Sequence, residues 1–173
     1  MGKLGGDMTP QEQFVDLYKQ MADLCDQNDW GDPFSYARAK EIYATCALGH
    51  TMPGPNMFSG ADGINQAGQP VEYKSTTSKN CRGAYTGISV QDTWEKQEKY
   101  LVVDKIGKYP EHYYNRFADG KLVESWRMSG SKVLKILLKK LRDKYPTALD
   151  KKDPRLAANI TWTEIKANGE QVI

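Results

Sequence analysis

Histidine and cysteine are scarce in this chain, neither sign of charge dominates, and no long hydrophobic run occurs. Each shortage excludes something. Cys25, Cys46 and Cys81 form no CxxC pair, and only two histidines accompany them, so a zinc site is not expected. Three widely spaced cysteines read as free thiols in a reducing compartment. No apolar stretch approaches the roughly 18 residues that a membrane span requires, which predicts no membrane partner. Met1–Asp7 lacks the apolar stretch of a secretion signal, so the expected location is cytoplasmic. The sequon Asn159-Ile160-Thr161 is then a chance match. A net charge of +2 is too small to identify a polyanionic partner, because the shape of the field matters more than its total.

The length of 173 residues suits a single domain with a real core, and 39% hydrophobic with 27% charged residues is ordinary for a globular chain. Thr9-Pro10-Gln11-Glu12 opens a helix with a capping box, and Phe14, Leu17, Tyr18, Met21 and Leu24 follow at helical spacing. A second helix is predicted from about Ser35 to Leu48, with Ala37, Ala39, Ile42, Tyr43 and Cys46 inward and Gly49 as its stop. Phe58–Ile64 and Pro70–Thr77 read as two strands joined by a hairpin turn, and Gly83–Val90 as a third strand. A short helix over Asp92–Tyr100 precedes a strand at Tyr100–Ile106. A second hairpin spans Tyr113–Phe117 and Leu122–Met128 across Asp119-Gly120. Ser131–Tyr145 is amphipathic, with Val133, Leu134, Leu137, Leu138 and Leu141 inward, and the tail from Ile160 holds room for one more short element. This order predicts an α/β or α+β fold with a central mixed sheet flanked by helices. A helical part at about 8–50 would precede a sheet core at about 56–145.

Asp62 and Glu72 fall on neighbouring predicted strands, and alternation places Glu72 and Lys74 on one face. Two carboxylates converging on one face repel unless a cation lies between them. A hard divalent ion relieves this, and Mg²⁺ is commonly held by one or two carboxylates together with water and phosphate. Lys74 beside them is placed to orient an attacking water. Such a set suits phosphodiester hydrolysis. The bare Glu/Asp-x-Lys pattern is cheap. It recurs at Asp150-Lys151-Lys152 and Glu164-Ile165-Lys166, but only Glu72-Tyr73-Lys74 has a turn-linked Asp before it and most of a sheet after it.

Gly60-Ala61-Asp62-Gly63 followed by Val71-Glu72-Tyr73-Lys74-Ser75-Thr76 resembles the PD-(D/E)xK signature of restriction-endonuclease-like nucleases, with Ala61 in place of the nominal Pro. The resemblance covers about Phe58–Thr77, and the element order around it agrees. It implies that Asp62, Glu72 and the Tyr73 backbone carbonyl hold Mg²⁺, for which Mn²⁺ substitutes, and that Lys74 assists the water. Glu41 matches an additional helix carboxylate found in that family. The Glu-x-Lys-Ser-Thr run is most similar to type II restriction enzymes, which implies sequence-specific cleavage of double-stranded DNA by a homodimer. RecB-type exonucleases share the Asp…Glu-x-Lys block, but their Gln-x-x-x-Tyr motif is one residue short here, at Gln97 and Tyr100. Junction or end processing is the alternative enzyme reading, and a non-catalytic DNA-binding module is the alternative without chemistry.

For DNA contacts the candidates are Ser75 and Thr77 along the cleft, Lys79, Asn80 and Arg82 just past the motif strand, and Gln91 for base reading. The basic stretch from Lys132 to Arg155 is compatible with phosphate contacts, and equally with a solvated helix face. His50 reads as a loop histidine and His112 has no evident partner, while Tyr113, Tyr114 and Trp126 read as sheet core.

Overall fold

A computed structural model of the chain describes residues 8–173, so the N-terminal heptapeptide read above lies outside the described residues. The described residues divide into two compact units, 8–39 and 40–173. In the first unit, α1 (Pro10–Gln27) begins with the capping box foreseen in the sequence: the Thr9 side chain accepts from the Glu12 N–H, and the Glu12 carboxylate accepts from the Thr9 N–H. Tyr18 stacks on Phe34 with ring centroids 3.7 Å apart.

The second unit is mixed α+β. It starts within α2 (Arg38–Leu48) and contains β1 (Gly63–Ile64), β2 (Pro70–Thr76), β3 (Gly83–Ser89), α3 (Trp94–Tyr100), a π-helical turn (Leu101–Lys105), β4 (Glu111–Ala118), β5 (Lys121–Ser129), α4 (Gly130–Leu149), β6 (Arg155–Ile160), α5 (Trp162–Asn168) and β7 (Glu170–Gln171). A five-stranded sheet runs in the order β1-β2-β4-β5-β7. β2 and β4 are parallel at its centre and the other pairs are antiparallel. β3 leaves this sheet and pairs with β6 in a separate two-stranded ladder.

The two faces of the main sheet are covered differently. On one, Val71, Tyr73 and Tyr113 pack with Ala44 and Leu48 of α2. On the other, Tyr114 and Met128 join the larger core with Val133, Leu137, Leu141 and Tyr145 of α4 and with Leu156, Ala158 and Ile160 of β6. The α4 residues recur at intervals of four, a stripe at helical period. The turn between β4 and β5 has positive φ at both Asp119 (49°) and Gly120 (72°), the conformation that Asp-Gly favours in a tight hairpin.

Several expectations are corrected. Tyr100–Ile106 is not a strand: α3 runs into the π-helical turn, because its buried anchors, Leu101 and Ile106, are five residues apart rather than alternating. The inward side of α2 is Ala44 and Thr45, whereas Tyr43 and Cys46 are exposed. Phe58–Ile64 narrows to a two-residue strand. Arg155, read as the end of a basic stretch, opens a strand, Arg155–Ile160, that buries alternate residues. In that stretch Lys132, Lys140 and Lys144 donate to the carbonyls of Asn168, Asn159 and Ala157, tying α4 to the following segment.

Candidate active site

The hairpin register pairs Gly63 with Val71 and Ile64 with Pro70. One step further along the same register, Asp62 stands opposite Glu72, and opposite residues of an antiparallel pair share a face. Strand alternation adds Lys74 to that face. Asp62, Glu72 and Lys74 accordingly line one cavity of about 270 Å³. Glu164-Ile165-Lys166, the competing match, lies on α5, where Glu164 closes a capping box and pairs with Lys140 at 2.7 Å.

Asp62 is held by its neighbours. Its N–H donates to the Val71 carbonyl at 3.1 Å, and its Oδ2 accepts from the Tyr73 N–H at 2.8 Å. Glu72 pairs directly with the Lys74 ammonium. Burial, and after it the charges of Glu72 and Glu41, push the Asp62 carboxyl up to about 8; the Tyr73 N–H and Lys74 only partly oppose them. Glu41 lies one helical turn before Ala44 and Thr45, on the sheet-facing side of α2, and its charge acts on Asp62.

Lys74 has a second partner, the Tyr85 ring, whose centroid lies 4.9 Å from Nζ. The Tyr85 hydroxyl is fixed in turn by His112 Nδ1 at 2.8 Å and the Tyr114 hydroxyl at 3.0 Å. His112 Nε2 faces the Ile106 carbonyl at 3.2 Å, and a carbonyl only accepts, so Nε2 carries the proton and Nδ1 accepts from Tyr85. Burial pushes His112 down to about 3, so it is neutral. On the opposite face, the Tyr73 hydroxyl meets His50 Nδ1 at 2.7 Å. His50 is therefore a loop residue, as read, with its ring packed behind β2.

The remaining candidates are spread out. Ser75 points away from the cavity, on the Tyr73 face, and its hydroxyl is buried without a partner. Thr77, Lys79, Asn80 and Arg82 are exposed beyond the strand and do not line the cavity. The Gln91 N–H donates to Gln97 Oε1 and its carbonyl accepts from Tyr145, so its backbone is committed to the loop. The sequence reading missed Tyr85, Lys105, Lys108, Tyr109 and His112, all of which line the cavity. Lys105, Lys108, Tyr109 and His112 had one sequence signal, their clustering at the entry to β4, whereas Tyr85 on β3 had none.

Among the described residues, no three His, Cys, Asp or Glu side chains are grouped as a metal cluster. The donor set is instead two carboxylates with Lys74, and the Asp62 carboxyl is raised by burial first and by the charges of Glu72 and Glu41 after it. That set fits a Mg²⁺ ion, which needs one or two carboxylates and takes its other ligands from water and phosphate. No protein-family model matches the chain, and no curated protein matches its sequence.

Proposed function

We propose that this chain is a metal-dependent endonuclease of the restriction-endonuclease-like PD-(D/E)xK type, hydrolysing phosphodiester bonds of double-stranded DNA. The observation that carries the reading is the convergence of Asp62, Glu72 and Lys74 on one cavity, with the Asp62 carboxyl raised first by burial and then by the acidic groups around it. Asp62, Glu72 and the Tyr73 carbonyl would hold Mg²⁺ or Mn²⁺, and Glu41 would complete the acidic side. The bound ion would offset charge on the scissile phosphate and acidify a water.

The chain's own groups do the positioning. Lys74 has three N–H donors and Glu72 takes one, leaving two for the attacking water and a phosphate oxygen. The Tyr85 ring supports the ammonium from beneath. In the reaction the attacking water gives up a proton as its oxygen bonds to phosphorus, the bond from phosphorus to the bridging ester oxygen breaks, and the departing oxygen takes up a proton from solvent. One such site cuts one strand, so a homodimer with twofold symmetry is the expected form on duplex DNA.

Plasmid DNA incubated with the protein and Mg²⁺ is expected to give discrete fragments, and EDTA to stop the reaction. Glu72→Gln and Lys74→Ala are each expected to slow cutting at least about 100-fold while duplex binding persists. Unimpaired cutting by both variants would remove the proposal.

A further inference from the structure

The cavity around Asp62 and Glu72 has a second wall that comes from a distant stretch of sequence. Lys105, Lys108 and Tyr109 line it, carried by the π-helical turn and the residues that follow. This lip is firmly built. Leu101 and Ile106 are buried anchors, and the N–H groups of Ile106 and Gly107 both donate to the Leu101 carbonyl, at 2.9 and 3.0 Å. A Cβ on Gly107 would stand 2.3 Å from the Val102 carbonyl oxygen, so only glycine lets the chain close here. π-Helical turns of this kind recur at functional sites.

The lip is braced across the cavity mouth. Lys108 Nζ donates to the Ser59 carbonyl at 3.0 Å and lies 4.8 Å from the Tyr109 ring centroid. The Tyr109 hydroxyl donates to the Gly60 carbonyl at 2.5 Å. Lys105 is exposed, and among the described residues no acidic side chain pairs with it. A cavity with an acidic floor thus carries an uncommitted cation at its rim, held on a rigid turn.

We infer that this lip is a phosphate clamp: Lys105, with Lys108 behind it, binds a backbone phosphate of the nucleic-acid strand, next to the phosphate that sits at Asp62 and Glu72. The inference rests on the nuclease reading for the course of the strand through the cavity. Its chemistry is general. Carboxylates on the floor repel a polyanion, and a lysine at the mouth supplies the point charge that brings a neighbouring phosphate into register.

The test is fluorescence anisotropy of a labelled duplex oligonucleotide over a salt series, with Ca²⁺ replacing Mg²⁺. The full-length wild type is compared with Lys105→Gln and Lys105→Arg. Among the described residues Lys105 makes no ion pair, so the melting temperature should not move. Lys105→Gln is expected to weaken binding about fivefold and to lower the slope of log K against log salt by about 0.9, the loss of one phosphate contact, with Lys105→Arg restoring both. Unchanged affinity and slope in Lys105→Gln would overturn the clamp. If the wild type cuts DNA with Mg²⁺ but ignores Lys105→Gln, the clamp falls alone. If Lys105 governs binding and no cutting occurs, the clamp stands and the nuclease reading falls. If the wild type does not bind the duplex, both fall.

Discussion

At the scale of single residues, Asp62 carries the sharpest consequence. Its carboxyl rises from 3.8 to about 8, because burial and the charges of Glu72 and Glu41 disfavour ionisation. The folded protein therefore keeps a proton that the unfolded chain releases at much lower pH. The stabilising contribution is complete below about pH 4 and is lost as pH rises through about 8. Asp62→Asn cannot ionise, and its side-chain oxygen can still accept from the Tyr73 N–H. Without divalent cations it is expected to be near neutral at about pH 4 and stabilising by on the order of 2 kcal/mol at about pH 9. Urea unfolding at the two pH values measures this, and a difference that does not grow with pH would contradict the account of Asp62. Tyr85 gives a second prediction. Tyr85→Leu removes the ring beneath Lys74 and should slow single-turnover cleavage about tenfold. Tyr85→Phe keeps the ring but leaves His112 Nδ1 without its donor, so it should retain most of the rate and lose about 1–2 kcal/mol of stability. Equal rates for the two variants would mean the ring does not support the ammonium.

At the scale of elements, Gly63 shows how closely β1 and β2 fit. A Cβ there would lie 2.6 Å from the Tyr73 hydroxyl and 3.0 Å from a Thr45 methyl. Gly63→Ala should therefore push the Tyr73 hydroxyl off His50 and cost about 1–3 kcal/mol. Adding Tyr73→Phe should recover part of that cost in a double-mutant cycle measured by unfolding; strict additivity would refute the steric explanation. The same hairpin explains what the sequence made legible. Asp62, Glu72 and Lys74 were readable because a short antiparallel register fixes them through spacing alone. The caps of α1, the Asp-Gly turn and the stripe of α4 are likewise local chemistry. Elsewhere, local cues misled. Leu101-Val102-Val103 is rich in β-branched residues, yet Val102 and Val103 are exposed, and burial follows the five-residue interval from Leu101 to Ile106. The alternation of Leu156, Ala158 and Ile160 marked β6 in principle, but apolar Ala157 on the outer side blurred it. The pairing of β6 with β3, and the return of Lys105, Lys108 and Tyr109 to the cavity, depend on tertiary paths that no local pattern carries.

At the scale of the whole molecule, folding stability, proton binding and the proposed cation site meet in the second unit, which contains Glu41, Asp62, Glu72 and Lys74 together. A cation held by Asp62 requires the ionised carboxylate, so below about pH 8 binding must release the proton that burial and the neighbouring carboxylates retain. One displaced proton makes the apparent affinity rise at most about tenfold per pH unit up to that point. A ligand bound only by the folded state stabilises it in proportion to the logarithm of its concentration over its dissociation constant. Mg²⁺ should therefore raise the melting temperature more at about pH 8 than at about pH 6, by several degrees at millimolar concentration. The dependence should vanish in Asp62→Asn, which has no proton to exchange. Thermal unfolding followed with and without Mg²⁺ at both pH values, for the wild type and Asp62→Asn, separates this from a general salt effect, because ionic screening would act on both proteins alike. A Mg²⁺ shift of equal size in the two proteins would place the cation elsewhere and leave the raised Asp62 carboxyl without the role argued for it.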